Sequence, residues 1–101
     1  MRVISKLKLV EFWHECPAAR AGLQGWYEDA SRAQWESPQD IKRSYATASF
    51  LASRRVVFNI KGNDYRLVVA VAYRFQAVYI KFVGTHAQYD AIDATTVEPK
   101  P

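Results

Sequence analysis

From Arg54 to Thr85 the side chains follow a period of two, and two turn signals interrupt the pattern. Few folds can use such a stretch other than as consecutive hairpins. The first run is Arg54, Arg55, Val56, Val57, Phe58, Asn59, Ile60, Lys61. Gly62-Asn63-Asp64 follows, and glycine and asparagine accept the positive φ that tight turns need. Tyr65 to Phe75 is a long β-rich run, Gln76-Ala77 can reverse the chain, and Val78 to Gly84 makes a third strand. Three strands joined by two short connections form an antiparallel meander.

Alternation sorts these strands into two faces. One carries Val56, Phe58, Ile60, Leu67, Val69, Val71, Tyr73, Val78, Ile80 and Phe82, and should be buried. The other carries Arg55, Val57, Asn59, Lys61, Arg66, Val68, Ala70, Ala72, Arg74, Tyr79, Lys81, Val83 and Thr85, which is small, partly apolar and basic.

The first half must cover the apolar face. Arg2-Val3-Ile4-Ser5 reads as a strand or an extended lead-in. Ser5 can cap a helix from Lys6 to about Glu15. Leu9, Phe12, Trp13 and Cys16 fall on one side of it. Pro17 ends this helix and can open a second, over 18–34, with Leu23, Trp26, Tyr27 and Ala30 as its buried stripe. Gly22 and Gly25 weaken it and allow a break. Ser37-Pro38-Gln39-Asp40 fits a short helical turn, and Tyr45 to Leu51 reads as a loop. The expected class is α+β: two N-terminal helices on an antiparallel sheet of three to four strands. A chain of 101 residues is one domain in size. Its expected extent is 1–94, with 95–101 a frayed tail.

The formal charge is only +4, a weak pointer to nucleic acid, but its distribution is informative. Between Ala52 and Tyr89 the cations are Arg54, Arg55, Lys61, Arg66, Arg74 and Lys81, against Asp64 alone. Polyanion binding therefore belongs to the second half. Cys16 is the only cysteine, which excludes an internal disulfide and favours a cytoplasmic home. The start lacks the apolar run of a signal peptide. No stretch approaches the roughly 20 apolar residues that span a bilayer, so no membrane is expected among the partners. No paired-histidine helix motif or cysteine cluster calls for a metal, and Gly62 alone makes no phosphate loop. No cofactor is expected.

Metal-free RNA cleavage employs the 2′-hydroxyl as nucleophile. It needs proton transfer at two oxygens and cations near the phosphorane. Histidine suits the first task, since its unperturbed pKa is about 6.5, and arginine or lysine the second. His86, Tyr89 and Asp90 follow the third strand at three- and four-residue spacings, so a helical turn would put them on one side. Spacing alone is a weak signal. A lone histidine is more often a surface or capping residue. Thr85 is more readily a helix cap, Asp90 can serve an ion pair, and Tyr89 can be a rim aromatic. Arg54 and Arg55 read as a solvated strand entrance, and Arg66 and Arg74 can simply keep a sheet face soluble.

Two segments resemble the HigB toxins. One runs Val57-Phe58-Asn59-Ile60-Lys61-Gly62-Asn63-Asp64-Tyr65-Arg66-Leu67-Val68. The other runs Val78-Tyr79-Ile80-Lys81-Phe82-Val83-Gly84-Thr85-His86-Ala87-Gln88-Tyr89-Asp90. The helical first half fits as well, so the resemblance spans nearly the whole chain. It implies a RelE-like microbial ribonuclease fold and messenger-RNA cleavage, commonly on the ribosome. It also implies neutralisation by a HigA-type antitoxin with a helix-turn-helix domain. Carried over by position, Arg66, His86, Tyr89 and Asp90 are the expected catalytic residues. Lys61, Asn63, Arg74 and Lys81 are the expected RNA contacts, with a structural role at least as fitting for Asn63. The rival expectation is a non-catalytic RNA- or ribosome-binding module of the same fold.

Overall fold

The turn signal at Gly62-Asn63-Asp64 marks a real hairpin, with positive φ at Gly62 as expected but at Lys61 rather than Asn63 beside it. In the computed structural model, which describes residues 1–100, Lys61 (φ 53°) and Gly62 (φ 63°) take the left-handed conformation, and Asn63 does not. This turn joins β3 (Arg55–Ile60) to β4 (Tyr65–Ala72), which pair antiparallel from Ile60↔Tyr65 onward. β4 is shorter than the sequence pattern implies. It stops at Ala72, and Tyr73–Phe75 form a 3₁₀ turn closed by Gln76 at φ 52°. β5 (Ala77–Thr85) then returns along β4. The expected three-strand meander is present.

Two short edge strands extend it to five. β1 (Arg2–Ile4) pairs parallel with Ala77–Tyr79 of β5, and β2 (Ser49–Leu51), expected as loop, pairs antiparallel with β3. The sheet order is β1-β5-β4-β3-β2, so the sheet is mixed rather than antiparallel. Three-residue strands carry no readable period, and pairing with a longer strand defines them.

Among the described residues, four helices complete an α+β fold: α1 (Lys6–Glu15), α2 (Arg20–Arg32), α3 (Pro38–Ser44) and α4 (His86–Asp90). Ser5 precedes α1 without a side-chain cap bond. Pro17–Ala19 form a 3₁₀ turn, and α2 continues through Gly22 and Gly25 without a break. Gly22 is needed for close approach, since a Cβ there would lie 2.7 Å from Ile60 Cγ2. Leu9, Trp13, Leu23, Trp26 and Ala30 pack on Val56, Phe58, Ile60, Leu67, Val69, Val71, Val78 and Ile80. Phe58 lies centrally, with Trp26, Trp35 and Tyr45 rings at 5.4, 6.2 and 5.0 Å. No described helix is long and apolar enough to cross a membrane.

A β-bulge alters the expected faces of β5. Val68 pairs with Phe82 while Val69 pairs with Ile80, so Lys81 is an extra residue in the ladder. Beyond a bulge the alternation inverts. Phe82 therefore packs with Val57 and Val68 on the outer face, and Val83 packs with the helix-side core. The inversion also sets Gly84, rather than a larger side chain, opposite Arg66.

The outer face is not left open. Ala94 is buried there, with Ile92 and Val97 against Val57, Val68, Phe82 and Tyr89. The segment expected to fray thus lies against the outer face through Val97 and Glu98, the Lys100 carbonyl accepts from Lys8 Nζ of α1 at 2.7 Å, and Pro101 falls outside the described residues. Arg55, expected to be solvated, is 6 % exposed. It donates to the carbonyls of Ala94 (3.1 Å) and Val97 (2.6 Å) and pairs with Glu98 (2.5 Å). A buried guanidinium is tolerated when such partners fill its donors.

Candidate active site

The cleft of interest lies at the end of the sheet where the β3–β4 turn meets the start of α4. Asn63, Asp64, Tyr65, Arg66, Thr85, His86 and Ala87 line an open space of about 460 Å³. The His86 N–H donates to the Asp64 carbonyl at 3.1 Å, tying helix to turn.

α4 has five residues, too few for a helix to persist unaided. A reciprocal cap holds its start. The Gln88 N–H donates to Thr85 Oγ1 at 3.1 Å, and the Thr85 N–H donates to Gln88 Oε1 at 2.9 Å. Thr85 is thus a helix cap, as the sequence allowed. The spacing Thr-x-x-Gln could have identified its partner too. Gly84 closes the arrangement from below: a Cβ there would lie 2.7 Å from Gln88 Oε1 and 2.6 Å from Phe82 Cζ.

The helical turn brings His86 and Asp90 together. His86 Nδ1 lies 3.6 Å from Asp90 Oδ2, an ion-pair rather than a hydrogen-bond distance, and both side chains are more than half exposed. The Arg66 guanidinium donates to the carbonyls of Asn63 (3.1 Å) and Tyr65 (3.3 Å), and its Cζ is 5.9 Å from the centre of the Tyr89 ring. A guanidinium has five N–H donors, so these contacts leave others for an anion. Tyr89 is half-buried against the outer-face cluster, with one side turned to Arg66.

Arg66, Asn63 and His86 therefore share one cleft, with Tyr89 and Asp90 beside it. Asn63 contributes its main chain to Arg66. Lys61 is exposed in the adjoining turn. Two expected RNA contacts are elsewhere. Arg74 lies in the 3₁₀ turn beyond the far end of β4, because that strand stops at Ala72, and lines a separate hollow with Gln34, Glu36, Tyr73 and Gln76. Lys81 is the bulged residue, 22 % exposed and paired with Glu98 at 2.8 Å. The Tyr65 hydroxyl is turned away towards the Cys16 thiol, 3.5 Å distant. Its pKa is raised by that hydrogen bond and then by burial.

Glu98 was absent from the sequence reading, since a lone glutamate in an unpatterned tail carries no signal. The hydrogen bond from Lys81, supported by Arg55, holds its carboxyl below its ordinary value of 4.5. A lowered carboxylate pKa stabilises the fold above the ordinary value, and this contribution fades as pH falls through the lowered one. The Glu98 carboxyl carbon, followed by NMR, should titrate below 4.5. In Lys81→Met its midpoint should move up. An unmoved midpoint would contradict the Lys81 contact.

A family model described as HigB toxin, the RelE-like toxic component of a toxin–antitoxin system, matches residues 19–92. The chain is 25 % identical over 96 residues to the mRNA interferase toxin HigB of Escherichia coli strain K12, covering 93 % of this chain and 92 % of that relative. The same identity and coverage hold for the mRNA interferase HigB proteins of Escherichia coli O157:H7 and Shigella flexneri.

Proposed function

The chain belongs to the HigB toxin family, and from that premise we propose that it is an endoribonuclease that cuts messenger RNA on the ribosome. The observation that carries this reading is the shared cleft of Arg66 and His86, open to solvent at the sheet end. Its proposed partners are messenger RNA, the ribosome, and a HigA-type helix-turn-helix antitoxin that restrains it in the cytoplasm.

In the proposed reaction the 2′-oxygen of one nucleotide attacks its own 3′-phosphorus. The P–O2′ bond forms and the P–O5′ bond breaks. The 2′-hydroxyl gives up a proton and the departing 5′-oxygen gains one. His86 transfers a proton, since an exposed imidazole can both accept and donate one. Asp90 orients the ring through Nδ1, 3.6 Å from its Oδ2, which leaves Nε2 for the substrate. Arg66 neutralises charge on the phosphorane oxygens. Tyr89 holds the guanidinium plane over its ring, and Lys61 adds a cation beside the turn. The products carry a 2′,3′-cyclic phosphate and a 5′-hydroxyl. The attacking group belongs to the RNA, so the step needs no water nucleophile.

Mapping of 5′ ends in cellular transcripts after brief induction tests this. New ends bearing 5′-hydroxyls, within coding regions and absent with His86→Ala, are the expected result. Equal end patterns for the two proteins would refute it.

A further inference from the structure

We propose that Gln88 is a positioning residue for the cleavage step, and that Gly84 is the bare site its carboxamide requires. The inference rests on the reading of His86 as the proton-transfer residue. It concerns two residues that touch neither phosphate nor leaving group in that reaction.

α4 has only five residues, and none of them is buried. Its own hydrogen bonds cannot hold it, because so short a helix does not repay its nucleation cost. Position must come from its first turn. Two ties operate there: the His86 N–H to the Asp64 carbonyl, and the reciprocal cap between Thr85 and Gln88. The cap fixes the peptide immediately before His86 and the residue two beyond it. The direction of the His86 Cα–Cβ bond, and its approach to Asp90, follow from it.

Gly84 couples into the same device. A methyl at this position would meet Gln88 Oε1 at 2.7 Å and Phe82 Cζ at 2.6 Å. Gln88 Oε1 ends an exposed, flexible side chain, whereas the Phe82 ring is packed on the outer-face cluster, so alanine displaces the carboxamide and also presses on that ring. The backbone at Gly84 has no left-handed strain, so the lesion lies in these two side-chain contacts. Gly84→Ala therefore opens the cap from beneath, as Gln88→Ala removes it from above. At the cap the two variants should behave as one lesion.

Multiple-turnover cleavage of a ribosome-bound transcript by the full chain tests this with Gln88→Ala, Gly84→Ala, the double variant, Gln88→Glu and His86→Ala. In Gln88→Ala, kcat should fall about tenfold with KM unchanged, because the cleft's phosphate contacts persist while His86 loses its fixed direction. Gly84→Ala should lose at least as much, and the double variant should be no worse than Gly84→Ala alone. Gln88→Glu should recover most of the rate, since glutamate closes the same cap. Undiminished kcat in Gln88→Ala overturns the proposal. So do multiplying effects in the double variant, or a Gln88→Glu as slow as the alanine. Full activity of His86→Ala instead overturns the reading of His86, and this proposal with it. An inactive His86→Ala beside a fully active Gln88→Ala overturns this proposal alone.

Discussion

Replacing His86 by alanine is expected to lower transcript cleavage by about 10²–10⁴-fold and to let cells expressing the chain keep growing. The imidazole is exposed, adjoins the Asp90 carboxylate and lines the same cleft as Arg66. The side chain supports no core packing, so its loss removes chemistry while the fold remains. Arg66→Ala should give a comparable relief of growth arrest, because a cation on the phosphorane is worth about 10²–10³-fold. Arg66→Lys should recover only part, since an ammonium cannot reproduce the planar, multiply donating fork. Growth curves after induction, read with transcript cleavage in vitro, check both. Full toxicity of His86→Ala and Arg66→Ala together would place the chemistry elsewhere.

Phe58→Ala should cost about 3–5 kcal/mol of stability, a large share of the 5–15 kcal/mol typical of a domain. Phe58 is fully buried on the middle of β3, and the rings of Trp26, Trp35 and Tyr45 all converge on it. These aromatics come from α2, the segment after it and the end of α3, so one side chain joins the helical layer to the sheet. Its removal leaves a cavity that three rigid rings cannot fill. Denaturant unfolding should give a lower midpoint with an unchanged slope. A loss below about 1 kcal/mol would mean that the aromatic cluster closes over the gap.

The parts of this molecule that were legible in the sequence are those with a local period. α1 begins and ends where Ser5 and Pro17 indicated, and the meander follows from alternation and turn chemistry. β1 was legible only as one of two readings and β2 not at all, because a three-residue strand exists only through its neighbour. The bulge at Lys81 was hidden because one extra residue in a β-rich run leaves no local mark. The predicted face was wrong for Phe82 and Val83 for that reason. Arg55 read as solvated because its partners lie about forty residues away. Thr-His-x-x-Tyr-Asp falls at the start of α4, and the fold brings Arg66 into the same cleft from β4. Arg74 was grouped with it by alternation, and Lys81 by alternation and the HigB resemblance; the early end of β4 separates Arg74 from it, and Lys81 is held by Glu98 on the outer face.

The pairing of β1 with β5 has a consequence for the life of a single copy. Synthesis proceeds from the N-terminus, so Arg2–Ile4 is made first and waits for Ala77–Tyr79 before it has a place. β5 also supplies β4's second neighbour and carries Thr85, on which α4 is built. A nascent chain that stops short of β5 thus has an unfinished sheet and no cleft, and contacts so distant in sequence form late and slowly. Each copy lacks its cleft until the fifth strand has been made and seated.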